Sequence, residues 1–251
     1  MYSGEWTPVF KSSRLKITNP QYELVTLAQQ LGPDPSLENR LKSIRYLMID
    51  RDGLWRKLPY DYFTQDNVYN DNPNQGGLKR YYKLLSDEVV DSAPFQKILT
   101  NFSEHFPQKA GAIVLCQIQT TTDWGATGDI TGQGIHTDGA EEAMIVCLER
   151  KNVHPKSAKN ALYEDVAGDR VVMRPRALQA AEAIFWKDNE IYHAVSHIAP
   201  LCMEDGPAIR TVMLLHADSS YLIDGRKNER NKLPGRDITV GKINCRSLEA
   251  Q

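Results

Sequence analysis

Paired cysteines, long apolar runs and an excess of charge of either sign are all missing from this chain. Its four cysteines, Cys116, Cys147, Cys202 and Cys245, form no C-x-x-C pair and follow no regular spacing. That excludes a disulfide scaffold and a zinc-ribbon site, and it suits a reducing, cytoplasmic compartment. Cys116 and Cys147 lie in apolar, strand-like runs and read as buried hydrophobes. No apolar run approaches the ~20 residues needed to span a bilayer, so no membrane association is expected. The opening Met-Tyr-Ser-Gly-Glu-Trp-Thr-Pro has neither a basic nor an apolar region and does not read as a secretory signal. With 30 basic against 32 acidic residues, no global field favours nucleic acid or an anionic membrane. The local basic bias after Tyr221 is mixed with acids and lacks interleaved aromatics, so it reads as a solvated surface.

What the chain does have is the content of one globular domain: 251 residues, 41% hydrophobic and 25% charged. Pro20 to Leu31 carries Leu24, Leu27, Ala28 and Leu31 at helical spacing, with Gly32-Pro33 as a stop. Arg45 to Ile49 reads as a strand, Thr64 to Gly77 as a polar loop, and Pro94 to Phe106 as a second helix. From Ala110 onward the pattern is short β runs between turn signals, with a polar insert from Asn152 to Asp169. The expected fold is mainly β with flanking helices around a double-stranded β-helix, the jelly-roll or cupin-like barrel whose mouth holds small molecules. Residues 1–251 then form one domain: an elaboration over 1–109, a core over 110–220 and an extension over 221–251.

The chemistry is concentrated in His136-Thr137-Asp138, followed by His193 and Arg210. Two imidazoles and one carboxylate can hold Fe(II) on one face and leave open positions for a bidentate co-substrate and dioxygen. His136 and Asp138, two residues apart on extended chain, leave the same side of the backbone. Gly139 permits a sharp turn before the apolar run Ala143 to Leu148. Ala183 to Trp186 and Glu190 to His197 read as strand, turn, strand and offer His193 or His197 as the third ligand; His193 is preferred, because His197 stands near the strand end before Pro200. Arg210 opens the last apolar strand, where a buried guanidinium needs a carboxylate, and the far carboxylate of 2-oxoglutarate is such a group. Zinc on the same ligands is the alternative, but it gives Arg210 no role.

Beyond this set the chain resembles the iron(II)/2-oxoglutarate dioxygenases, specifically the amino-acid hydroxylases typified by isoleucine dioxygenase. The resemblance runs through Arg45-Tyr46, Gln75-Gly76-Gly77, Arg80-Tyr81, Gln117-Ile118-Gln119, His136-Thr-Asp138, Tyr192-His193 and Arg210-Thr-Val-Met-Leu214. It implies oxidation of an unactivated carbon of a small free, branched aliphatic amino acid, with hydroxylation, closure of an aziridine-type ring and desaturation all open as outcomes. Arg80 and Arg45 are then candidates for the substrate carboxylate, Glu141 for its ammonium and Trp124 for closing over its side chain. A metal-binding cupin without oxygenase activity is the rival class.

Overall fold

The computed structural model describes residues 9–16, 20–28, 30–125, 128–226 and 233. Along the chain, β1 (Phe10–Arg14) precedes α1 (Pro20–Val25), a short 3-10 turn (Thr26–Ala28), β2 (Gly32–Asp34) and β3 (Leu37–Ile49). Short strands follow: β4 (Trp55–Lys57), β5 (Tyr62–Thr64), β6 (Lys79–Tyr81) and β7 (Lys83–Leu84). After α2 (Asp87–Asp91) and α3 (Ala93–His105), the chain is almost wholly β. It forms β8 (Ile113–Asp123), β9 (Glu142–Lys151), β10 (Lys159–Tyr163), β11 (Val171–Ala177), β12 (Glu182–Trp186), β13 (Tyr192–Val195) and β14 (Ala208–Ala217), closed by α4 (Ser220–Asp224).

The strands build a large sheet in the order β1-β12-β9-β14-β8-β3-β2, with β4 and β7 also on β3. A three-stranded sheet β11-β10-β13 and the pair β5-β6 complete the architecture. Because side chains alternate across a strand, the large sheet has two different faces. One carries Leu47, Val114, Cys116, Ile118, Met144, Val146, Leu148, Phe185, Met213 and Leu215 and packs on Leu24 and Leu27 and on Phe95, Ile98, Leu99 and Phe102 of α3. Each such side chain, fully removed from water, contributes about 1.5–3 kcal/mol, so this layer anchors the fold. The other face looks inward. Over one half, Ala143, Ile145, Ile184 and Trp186 meet Leu162 and Met173 of the three-stranded sheet. Over the other half, Ile44, Tyr46 and Leu115 meet Phe63, Tyr82, Tyr221 and Leu222. Two sheets closing on each other in this way form the expected jelly-roll core.

Local expectations fared unevenly. The first helix is shorter than its leucine spacing suggests and tightens to a 3-10 turn at Thr26, although Leu24 and Leu27 are buried as expected. The strand expected over Arg45–Ile49 begins at Leu37, because its first half points Arg40 and Lys42 inward and so lacks an apolar alternation. The polar insert of 152–169 contains β10, whose inward residues include Asn160. The loop of 64–77 is a loop, but a packed one, with Asn70, Gln75 and Gln65 buried. Gly76 is there for space: a Cβ would lie 1.8 Å from the Asn70 carbonyl oxygen. Cys116 and Cys147 are buried and free, while Cys245 and nearly all of the basic C-terminal stretch lie outside the described residues. No helix among the described residues is long and apolar enough to cross a membrane.

Candidate active site

His136 sits in an isolated antiparallel bridge with His193, each donating its backbone N–H to the other's carbonyl, at 3.0 and 2.8 Å. The bridge continues the edge of β13 and brings the two imidazoles side by side, with ring centres 4.2 Å apart. Two residues on, Asp138 faces both: its Oδ1 is 3.8 Å from His136 Nε2 and its Oδ2 is 3.4 Å from His193 Nε2. One ligand atom from each residue lies within 4.8 Å of the others, a spacing that one ion can bridge. The chain leaves Asp138 at once through Gly139, where φ is +87° and an added Cβ would lie 2.6 Å from the Tyr69 ring, so no side chain fits. Exposed His197 is outside this group.

Fixed partners aim the ligands. His136 Nδ1 lies 2.8 Å from the Gly134 carbonyl, which turns Nε2 to the centre. His193 Nδ1 lies 3.2 Å from Oδ1 of Asp188. Fully buried Asp188 also accepts from Trp186 Nε1, Thr137 Oγ1 and the Ala140 N–H, so one carboxylate ties together the segments carrying His193 and Asp138. Asp138 itself receives Gln65 Nε2 at 3.3 Å and stands 2.9 Å from His216 Nε2, whose other nitrogen meets Gln117. Burial pushes the Asp138 carboxyl up, yet His216 and His193 outweigh it and hold it well below the usual range. Burial lowers His193, but Asp138 and Asp188 more than reverse this and raise it to about 10. A metal ion replaces that proton when it binds.

The metal group opens into a cavity of about 930 Å³, solvent at its mouth included, between the inward face of the large sheet and the two smaller ones. Arg210 lies on β14, opposite Thr121 of β8. It is 2% exposed, and among the described residues its guanidinium hydrogen-bonds only to Asn160 Oδ1, at 3.2 Å. Burial pushes its guanidinium down to about 10, and no carboxylate among the described residues forms an ion pair with it. Asn160 Nδ2 is also buried without a hydrogen-bond partner among the described residues. This unmatched pair of donors fits the distal carboxylate of 2-oxoglutarate, as the donor set of two imidazoles and a carboxylate fits Fe(II).

The family model described as 2OG-Fe dioxygenase matches residues 26–216. The chain belongs to the 2OG-Fe dioxygenase family. Fe(II) and 2-oxoglutarate are accordingly its cofactor and co-substrate, and the chain is an enzyme. A bsmA homolog from Methylobium petroleophilum is similar in structure, with a TM-score of 0.67 at 20% identity over 80% of this chain and 81% of that one. IDO from Bacillus thuringiensis scores 0.62 at 11% identity over 83% and 89%. The Fe(II)/α-ketoglutarate-dependent dioxygenase TqaL scores 0.62 at 16% identity over 89% and 88%. These likenesses concern the fold. No curated protein matches the sequence.

Of the four residues named for the substrate, the structure brings only Arg80 to the cavity. It is 6% exposed, stacks 4.4 Å over the Phe63 ring and reaches Gln75 and Gln65 at 3.3 and 3.5 Å, leaving its Nε without a partner among the described residues. Arg45 alternates onto the opposite face of β3 and pairs with Asp87 of α2. Trp124 is 61% exposed beyond β8. Glu141 is absent from the cavity wall, and its backbone is bonded to β14 through Ala217. Sequence reasoning passed over Lys42, Arg40, Asp188 and His216. Only His216 left a signal, since it alternates with Arg210 onto the same face of β14; Asp188 reads simply as a turn former.

Proposed function

We propose that this enzyme oxidises an unactivated C–H of a small free amino acid, with hydroxylation as the outcome. The observation that carries the reading is the second unmatched cation of the cavity, Arg80. Its guanidinium is buried at the substrate end, where a carboxylate can accept two parallel hydrogen bonds. Gln133 Oε1, also buried on the cavity wall without a hydrogen-bond partner among the described residues, offers an acceptor to an ammonium.

The roles of the chain's own groups follow. His136, Asp138 and His193 hold the iron, and Arg210 with Asn160 holds the distal carboxylate of 2-oxoglutarate. When bound, iron and 2-oxoglutarate together supply oxidising power: dioxygen gives one oxygen atom to succinate and one to the substrate, and CO2 leaves. Asp188 fixes the His193 ring, and Gln65 and His216 fix the Asp138 carboxylate, so the ligands need little rearrangement on binding. The loop of 64–77 roofs the substrate end, where Gln75 and Asn72 donate to the carbonyls of Thr131 and Gly132 and keep bulk water out. A reducing, cytoplasmic setting belongs to the same proposal and is supported by the buried thiols of Cys116 and Cys147.

The test is an anaerobic titration with Fe(II) and 2-oxoglutarate, followed by oxygen and a panel of free amino acids. Succinate release coupled to a product heavier by one oxygen supports hydroxylation. A product lighter by two hydrogens means ring closure or desaturation. If no amino acid stimulates 2-oxoglutarate consumption, the substrate class is wrong.

A further inference from the structure

The inward half of β3 carries two cations on one face, Arg40 and Lys42, opposite Thr121 and Gln119 of β8. They are treated differently. Arg40 has its own carboxylate, Asp34 Oδ2 at 2.8 Å, with the Ile130 carbonyl as a further acceptor. Lys42 has none: its ammonium forms no hydrogen bond or ion pair with any described residue and rests against the rings of Phe63 and Tyr82, 4.8 and 5.0 Å from their centres. It is 6% exposed and lines the cavity. Arg80 lies against the same Phe63 ring, so the two charges share one aromatic support and stand close enough for one small molecule to span them.

A buried charge needs an opposite charge or it neutralises. Among the cavity-lining residues the only carboxylate is that of Asp138, which faces the metal ligands. Asp34, already paired to Arg40, attracts Lys42 only from beyond ion-pair distance, so a ligand is the natural source of the direct countercharges. A branched aliphatic amino acid brings one carboxylate, which satisfies Arg80 and leaves Lys42 facing hydrocarbon. Resting on the oxygenase reading above, we propose that the substrate is a small dicarboxylate, in the simplest case an acidic amino acid, with one carboxylate on Arg80 and the other on Lys42. Lys42 is then the residue that selects the substrate. The apolar walls nearby, Phe63, Leu115, Ile130 and Leu222, pack the carbons between the two ends.

The experiment uses the enzyme loaded with Fe(II) and saturating 2-oxoglutarate under anaerobic conditions, where calorimetry reads binding without turnover. Glutamate, aspartate, their amides glutamine and asparagine, isoleucine, and glutarate are titrated in turn. Oxygen is then admitted and succinate release measured. The expected result is that an acid binds at least tenfold tighter than its amide and than isoleucine, without displacing 2-oxoglutarate, and that Lys42→Met or, should that variant fold poorly, Lys42→Gln erases the preference. Isoleucine binding as well as the acids, or an acid-to-amide ratio unchanged in the Lys42 variants, overturns the inference while the amino-acid reading stands. Binding and turnover of glutarate with no response to any amino acid upholds the dicarboxylate and removes the amino acid. Silence across the whole panel overturns both.

Discussion

Lys42→Met should make the ligand-free protein more stable below neutral pH. Burial, with Arg40 and Arg80 adding to it and Asp34 and Asp138 partly opposing, pushes the Lys42 ammonium from 10.5 down to about 7. The unfolded chain holds this proton below pH 10.5, the folded chain only below about 7. Between those values the unfolded state carries more protons, so this group's contribution to stability rises with pH; below about 7 the penalty is complete. At about 1.4 kcal/mol per unit of depression, the electrostatic cost is at most on the order of 4–5 kcal/mol. Contact with Phe63 and Tyr82 returns roughly 2 kcal/mol of it. Methionine keeps the stem's volume and removes the charge, so a gain of about 2–3 kcal/mol is expected at pH 6. Urea unfolding of both proteins at pH 6, 8 and 9.5 measures it, and groups common to both cancel in the difference. The gap should narrow steadily above pH 7. A variant less stable than the parent at pH 6, or a gap that ignores pH, would refute the claim that Lys42 is an unpaired buried cation.

Alanine at His136, Asp138 or His193 should abolish stoichiometric iron binding by elemental analysis, while His197→Ala keeps it; iron retained in the first three and lost in the fourth would mean the wrong histidine was assigned. Arg210→Ala should leave iron in place and raise the KM for 2-oxoglutarate, because a buried bidentate charge contact is worth roughly 2–5 kcal/mol, with Arg210→Lys restoring only part. Steady-state kinetics against 2-oxoglutarate decide this, and an unchanged KM removes Arg210 from the site. Asp188→Asn should keep the fold by circular dichroism yet weaken iron binding about 10–100-fold, since the His193 ring loses its anionic partner; unaltered affinity would make Asp188 a purely structural hub.

How much of this was legible in the sequence depended on which way each side chain faces. β9 and β14 could be read because both of their faces pack against apolar layers and the residues say so. The metal set could be read because two imidazoles and a carboxylate at that spacing have few structural uses. The first half of β3 was illegible for the opposite reason: its inward residues, Arg40 and Lys42, are polar because they face the cavity, which inverts the usual rule for a strand. Arg45 misled in the same way, since a one-residue step on a strand exchanges the cavity for α2 and Asp87. Asp188 was invisible because its value lies in four partners on two segments, Thr137 and Ala140 on one and Trp186 and His193 on the other, none of which a turn-like Lys-Asp-Asn reveals. Gly76 reads only as part of a polar loop, whereas the fold uses it for a close backbone approach to Asn70.

Charge balance ties these observations to the choice of substrate. Iron brings two positive charges, and Asp138 and Asp188 one negative each; 2-oxoglutarate brings two negative and Arg210 one positive, so the metal end of the cavity carries one net negative charge when loaded. Arg40 with Asp34 is neutral. What is left over is Arg80 and Lys42, two cations in a water-poor space. A zwitterionic aliphatic amino acid adds no net charge; its carboxylate meets Arg80 and leaves Lys42 in excess, a state that a low-dielectric interior penalises heavily. An acidic amino acid contributes one net negative charge, and its second carboxylate holds the proton on Lys42, which closes the balance with both cations charged. A dicarboxylate without an amine pairs the same two cations. Either way, the cation that destabilises the empty protein is accounted for only when the ligand carries the second carboxylate.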